Sequence, residues 1–73
     1  MSFIYYMNGR VKIHIREMGI RYTPQMTYLS AQKLEEKMLR EWQSDKDVCF
    51  YNEDLIEMSI NPEYIVSIEL ETV

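Results

Sequence analysis

Apolar and polar residues alternate with a period of two along the start of the chain, which is typical of half-buried β-strands. Asn8-Gly9 interrupts the alternation, and this pair favours a two-residue type I′ turn because both positions need a positive φ. The sequence therefore predicts an N-terminal β-hairpin in which Met7 faces Arg10. The predicted core face of this hairpin comprises Ile4, Tyr6, Val11, Ile13 and Ile15.

The opposite face of the predicted hairpin combines aromatic and basic side chains, and we treat it as a candidate interaction face. Aromatic rings that stack on bases, beside cations that contact phosphates, are typical of single-strand binding surfaces. Tyr, Met and Arg are also enriched in protein interfaces, and a basic face can instead pair with an acidic strand, within the sheet or across a dimer. An ordinary solvated surface is the remaining alternative. The candidate residues are Phe3, Tyr5, Met7, Arg10, Lys12, His14 and Arg16.

A helical spacing of apolar residues begins near residue 30 and continues to about residue 43. Ser30 is a suitable N-cap because its hydroxyl can accept from a free backbone N–H of the first turn. Spacings of three and four place the apolar residues on one face, which predicts an amphipathic helix with Trp42 largely buried. This apolar stripe contains Ala31, Leu34, Met38, Leu39 and Trp42.

The C-terminal third contains further β-patterns. VCFY, residues 48–51, predicts a short strand in which Cys49 is a small buried side chain. Alternation then recurs on either side of Asn61-Pro62, a pair suited to a turn. For the apolar residues of both runs to share one face, Ile60 must pair with Val66, and the sequence therefore predicts a C-terminal hairpin.

The predicted element order is ββαββ, with an additional short strand over residues 20–23 that follows a kink at Gly19. One helix covering one face of a mainly antiparallel sheet defines a two-layer α+β fold. The length of 73 residues predicts a single domain spanning residues 1–73. A chain this short forms a small core, which favours self-association as a homodimer.

The predicted C-terminal hairpin places Glu57 directly opposite Glu69, with Glu71 nearby, on a candidate acidic face. Directly opposed like charges are destabilising unless something offsets them. A bound cation or a catalytic acid–base pair is one interpretation. A solvated surface, or a neighbouring strand that carries Lys or Arg, is the alternative, and the absence of a second ligand cluster favours it.

Charge is distributed unevenly along the chain. Residues 1–40 carry seven Lys/Arg and three acids, whereas residues 41–73 carry one Lys and nine acids, within a net charge of −4. The negative total argues against a general DNA-backbone binder. It also suggests an acidic decoy that inhibits a nucleic-acid-binding protein by imitating phosphate spacing. The residues of that decoy hypothesis are Glu53, Asp54, Glu57, Glu63, Glu69 and Glu71.

Motifs for catalysis, cofactors and targeting are missing from the sequence. His14 has no partner in a nucleophile motif, and no glycine-rich phosphate loop, CxxC or HExxH occurs. We expect a protein that is not an enzyme, with no cofactor and no metal. One cysteine excludes an internal disulfide, and neither a signal peptide nor a membrane span is evident, so a cytoplasmic location is expected.

The segment SINPEYIVSIE, residues 59–69, resembles a pattern found in small uncharacterised proteins of bacteria and phages. The resemblance implies a prokaryotic or phage origin and assigns no functional residue. Together these observations predict a small non-enzymatic protein-interaction or regulatory module. Binding of single-stranded nucleic acid by the N-terminal hairpin, and the acidic decoy, are the alternatives.

Overall fold

The structure is a computed structural model that describes residues 7–73. One helix packs against antiparallel sheets, so the predicted α+β class is confirmed, as is the additional strand near residue 20. The predicted strand before Asn8, with Phe3, Ile4, Tyr5 and Tyr6, lies outside the described residues. The elements are β1 (Asn8–Ile15), β2 (Gly19–Tyr22), β3 (Met26–Thr27), α1 (Tyr28–Gln43), β4 (Val48–Tyr51), β5 (Glu57–Ile60) and β6 (Ile65–Thr72).

The predicted turn at Asn8-Gly9 is wrong, because both residues belong to β1. Gly9 pairs with Met26 on one edge of β1 and with Thr72 on the other, so β1 is a central strand. Neither Asn8 nor Gly9 has a positive φ. A Cβ at Gly9 would lie 3.1 Å from the Cβ of Ala31, so this glycine lets α1 approach the sheet closely instead of forming a turn.

Two short strands, β2 and β3, follow one another along the same edge of β1, while β6 pairs with the opposite edge. Thr23 lies in the break between the two short strands, directly before Pro24, which has no backbone N–H to donate. The Thr23 N–H donates to the Val11 carbonyl over 3.0 Å, and the Thr23 hydroxyl accepts from the Val11 N–H over 2.9 Å. A buried side chain therefore completes the interrupted edge of the sheet.

The predicted C-terminal hairpin, with Ile60 opposite Val66, is wrong. β5 pairs instead with β4, where Ile60 lies opposite Val48, and β6 pairs with β1. The turn itself is where the sequence indicated, since Asn61 caps a short 3-10 turn at Pro62–Tyr64. This turn connects two different sheets, because each of the two strands finds a partner elsewhere in the chain.

A β-bulge changes which residues of β6 face the core. His14 pairs with Ser67 and Ile15 pairs with Ile65, which leaves Val66 without a partner position on β1. Val66 is 49% exposed, whereas Ile65 is buried. The extra residue shifts the alternation of β6 by one position, and parity counted from the sequence alone therefore assigned Val66 to the wrong face.

The helix begins two residues before its predicted start. Its N-cap is Thr27, the last residue of β3, whose side chain accepts from the backbone N–H of Ser30, so the prediction of Ser30 as N-cap is wrong. The end at Gln43, followed by Ser44 as C-cap, agrees with the prediction. The early start follows from β3, which holds Thr27 in the extended conformation that an N-cap requires.

A continuous apolar cluster joins α1 to both sheets. The predicted stripe on α1 faces this cluster, with Ala31 and Met38 buried. Trp42 is half-buried at its margin, so the prediction of a largely buried tryptophan is wrong. Ile56, whose alternation with Met58 and Ile60 predicts a core position, is instead 58% exposed in the turn before β5. The cluster comprises Val11, Ile13, Ile15, Met38, Val48, Phe50, Ile60, Ile65 and Ile68.

Candidate functional site

The candidate basic face lies on the side of β1 that points away from α1. There Arg10 donates from Nε and Nη2 to Oε1 of Glu71, over 3.3 and 2.9 Å. The guanidinium carbon of Arg10 also lies 3.8 Å from the ring centre of Tyr22, a cation–π contact. Arg10 is thus held between β6 and β2, and its charge is already matched within the sheet.

Neighbouring residues of the basic face are also opposed by β6. Lys12 pairs in register with Glu69, and His14 pairs with Ser67. Lys12 and His14 are half-buried, whereas Met7 and Arg16 are exposed beyond the ends of β1. The structure therefore brings Arg10, Lys12 and His14 together on one face and places Arg16 in the following turn. Phe3 and Tyr5 lie outside the described residues.

The predicted acidic face does not form. Glu57 lies opposite Tyr51 in the β4–β5 sheet, whereas Glu69 and Glu71 lie opposite basic residues of β1. The predicted opposition of Glu57 and Glu69 is therefore wrong, because β5 and β6 belong to different sheets. A basic strand does lie beside the acids of β6, where Glu71 is ion-paired with Arg10 and Glu69 lies in register with Lys12. Across residues 7–73, no group of three side chains is arranged to hold a metal ion.

A different surface emerges between β4, the helix and the β2–β3 edge, where the structure forms an open groove of about 500 Å³. Its walls are predominantly apolar, and its charged side chains, Lys37 and Glu57, come from α1 and the start of β5. No local pattern in the sequence indicates this groove, because it joins segments far apart in the chain. The lining residues are Pro24, Met26, Leu34, Lys37, Cys49, Phe50, Tyr51, Leu55 and Glu57.

Two exposed apolar residues, Tyr51 and Leu55, line one part of the groove, and exposed Ile56 follows Leu55 in the same turn. We call these three residues the hairpin tip. They are 56%, 72% and 58% exposed. The turn is ordered by Asn52, whose Oδ1 accepts from the backbone N–H groups of Asp54 and Ile56 over 2.9 and 3.0 Å. This Asx-type turn fixes the tip beside the groove. The sequence signal for it is the polar segment Asn52-Glu53-Asp54 directly after the VCFY strand pattern.

Leu55 has an unusual backbone conformation for its residue type. Its φ is 62°, in the left-handed region that favours glycine and asparagine. An exposed, bulky apolar side chain gains no burial energy to offset this strain. A strained residue at an exposed position is an observation that points towards function more than stability.

Cys49 lies on the outer edge of β4 and is half-buried, so the prediction of a buried core cysteine is wrong. Val48 and Phe50 face the core instead. The backbone N–H of Cys49 donates to Oε1 of Glu41 over 3.3 Å, and Oε2 of Glu41 accepts from Lys37 over 3.1 Å. The helix thus covers one position on this edge of the strand.

Comparison with protein-family models, with curated proteins and with solved structures finds no match to this chain. Within the part of the chain that the structure describes, no helix is long and apolar enough to span a lipid bilayer. The geometry of the groove and the hairpin tip is therefore the basis for assigning a function.

Proposed function

We propose that this chain is a small, non-enzymatic protein-binding module whose contact surface is the apolar groove together with the hairpin tip. The observation that carries the proposal is that Tyr51 and Leu55, both more than half exposed, line a groove of about 500 Å³, with exposed Ile56 next in the same turn. Grouped exposed apolar residues beside a concavity are typical of interaction sites.

The strained backbone conformation of Leu55 also supports the assignment of the contact surface to the groove and the hairpin tip. A left-handed leucine costs about 1–2 kcal/mol relative to its relaxed conformation, and glycine at this position would avoid that cost. The position nevertheless carries a large apolar side chain that is 72% exposed. Contact with a partner gives that side chain a role that the isolated fold does not.

The basic face is a weaker candidate for binding. Arg10 is engaged by Glu71 and Tyr22, and Lys12 lies opposite Glu69, so two of its cations are opposed within the sheet. Binding to single-stranded nucleic acid would have to compete with these contacts. The decoy hypothesis is disfavoured by the same pairing, since the acids of β6 face cations and lie in a different sheet from Glu57.

The partner that we propose is another protein or a second copy of the same chain. Self-association would produce a homodimer of twice the 8.9 kDa chain mass. Sedimentation equilibrium over a wide concentration range measures this directly. A dimer that dissociates when Leu55 is replaced by serine would identify the hairpin tip as the self-contact, and a monomer at every concentration would assign the surface to a different protein.

Site-specific photocrosslinking tests the proposed surface. A photoreactive phenylalanine analogue replaces Leu55 in one variant and Glu69, exposed on β6 of the other sheet, in a matched control. Both variants are irradiated in a native cell extract, and crosslinked proteins are identified by mass spectrometry. We expect a discrete adduct from position 55 that is missing from position 69. The same adducts at both positions, or an adduct from position 69 alone, would contradict the proposed surface.

A further inference from the structure

We infer that the groove takes an extended peptide segment of a partner protein, which adds as a new strand to the outer edge of β4. This inference rests on the proposed function and specifies its mode of recognition. Strand addition is a common way for small domains to bind peptides, because main-chain hydrogen bonds supply affinity and side-chain pockets supply specificity.

Hydrogen-bond alternation identifies the free edge of β4. The backbone N–H of Asn52 donates to the carbonyl of Ile56, so the N–H and carbonyl of Asn52 point towards β5. The direction of the backbone N–H and carbonyl groups alternates from one residue to the next along a strand. Those of Tyr51 and Cys49 must therefore point away from β5. The Cys49 N–H does so, since it donates to Glu41 over 3.3 Å. The N–H and carbonyl of Tyr51 therefore lie on the outer edge, where the described residues provide no backbone partner.

This free edge coincides with the groove. Three consecutive residues of β4, from Cys49 to Tyr51, line the groove, and Met26 of the β2–β3 edge lies across it. The Glu41 carboxylate already serves as the acceptor at the Cys49 end of the edge. A peptide carbonyl would take the corresponding place at Tyr51, and its alternate side chains would enter the apolar groove over Phe50 and Leu34.

Charge complementarity defines the peptide further. The turn beside the hairpin tip carries Glu53 and Asp54, and Glu57 lines the groove, whereas no Lys or Arg follows Lys46 in the chain. At the opposite side of the groove, Lys37 is already paired with Glu41. The occupant is therefore a segment of alternating apolar residues with a lysine or arginine at the end nearest Glu57.

Selection from a phage-displayed library of random decapeptides supplies the probe. The enriched sequences are synthesised, and their affinity for the full chain is measured by fluorescence polarisation. Each peptide is then resynthesised with single N-methyl groups along its backbone. We expect enriched peptides to alternate apolar residues and to carry Lys or Arg at one end. N-methylation at alternate positions should weaken binding tenfold or more, because those N–H groups bond the strand.

Variants of the chain provide an independent measurement. Tyr51→Pro removes the outward N–H, and proline is tolerated on an edge strand when its nitrogen faces outward. Tyr51→Ala removes the side chain but keeps that N–H, so it is the matched control. We expect the proline variant to bind the selected peptides at least tenfold more weakly than the alanine variant, with both folded by circular dichroism.

Two outcomes would overturn strand addition in distinguishable ways. Peptides that bind at the hairpin tip but tolerate N-methylation at every position would leave the protein-binding function intact and contradict the strand mode. Failure to enrich any peptide, together with no crosslink from position 55, would contradict both proposals. If Tyr51→Pro does not fold, the N-methyl series on the parent chain decides the question alone.

Discussion

The backbone N–H of Val11 donates to the hydroxyl of Thr23 over 2.9 Å, at a position where a sheet would ordinarily supply a carbonyl. Both residues are buried, so water cannot replace the acceptor. The break in the edge strand before Pro24 creates the need for this contact, and the threonine hydroxyl meets it. One side chain thus allows β2 and β3 to serve as a single edge of β1.

Replacing this acceptor should destabilise the fold. Thr23→Val keeps the shape of the side chain but leaves the Val11 N–H without a partner, which should cost about 1–3 kcal/mol. Thr23→Ser keeps the hydroxyl and loses one buried methyl group, for about 0.8 kcal/mol. Urea unfolding gives the free energies, and amide exchange at Val11 should accelerate only in the valine variant. Unchanged exchange in Thr23→Val would show that another group accepts this bond.

The contact between Arg10 and Glu71 should couple β1 to β6 electrostatically. A double-mutant cycle with Arg10→Met and Glu71→Gln should give a coupling energy of about 0.5–1 kcal/mol at low salt, since the pair is only partly exposed. The i,i+4 helix pair Lys37 and Glu41, of which only the lysine is exposed, is the comparison and should give about 0.3–0.5 kcal/mol. Both couplings should shrink in molar NaCl. A coupling of zero at low salt would mean that the observed pairing does not persist in solution.

Single-stranded nucleic acid should bind weakly or not at all. Fluorescence polarisation with a labelled oligonucleotide at low salt should show no signal at tens of micromolar protein, because the cations of β1 face acids of β6. If binding does occur, Lys12→Ala should reduce the salt dependence by about one ion, since each phosphate contact releases counterions. Tyr5→Ala should then weaken binding by about 1–3 kcal/mol if Tyr5 stacks on a base. Saturable binding with both effects would restore the nucleic-acid hypothesis.

Met38 should contribute more than Trp42 to the docking of α1 on the sheets, although the spacing of the apolar stripe gives both residues the same role. Met38→Ala should cost about 2–5 kcal/mol because this side chain is fully buried. Trp42→Ala should cost less than the about 3–5 kcal/mol of a fully buried aromatic residue, since Trp42 is half-buried. Leu29→Ala, at an exposed helix position, is the control and should change stability by about 0.5 kcal/mol or less. Unfolding is followed by circular dichroism, and equal effects at Met38 and Leu29 would disprove the docking.

Stability and binding should respond in opposite directions at Leu55. Leu55→Gly relieves the left-handed strain, and the greater freedom of unfolded glycine offsets part of that gain, so stability should rise by about 1 kcal/mol or less. Leu55→Asn is a companion variant, because asparagine also tolerates the left-handed conformation. Crosslinking or peptide binding at the hairpin tip should fall in both. A variant that is destabilised and binds normally would contradict the role proposed for Leu55.

Local patterns in the sequence predicted the positions of the helix and the strands better than they predicted which strands pair with each other. The alternation of Val11, Ile13 and Ile15 identified the buried face of β1, and the stripe on α1 was located correctly. Pairing was harder to predict, because Asn8-Gly9 carries a turn signal that close packing against Ala31 overrides. These errors share a cause, since turn propensity is local whereas strand pairing is decided by the whole sheet.

The candidate site was the least predictable part of the molecule. Its groove depends on Met26 and Tyr51, which belong to separate sheets, and no periodicity relates them. The bulge at Val66 likewise has no signal in the alternating pattern, yet it places Ile65 instead of Val66 on the core face of β6. Residue spacing therefore indicated strand and helix positions but not the surface that they enclose.

The central position of β1 has a consequence for how the chain acquires its structure. Arg10 and Glu71 are 61 residues apart, so one edge of β1 stays unpaired until β6 has been synthesised. Contacts of such long range slow folding, because the intervening chain must be ordered before they form. On a translating ribosome, β1 would expose an unpaired edge until β6 has emerged, which makes the nascent chain a substrate for chaperones and prone to association in their absence.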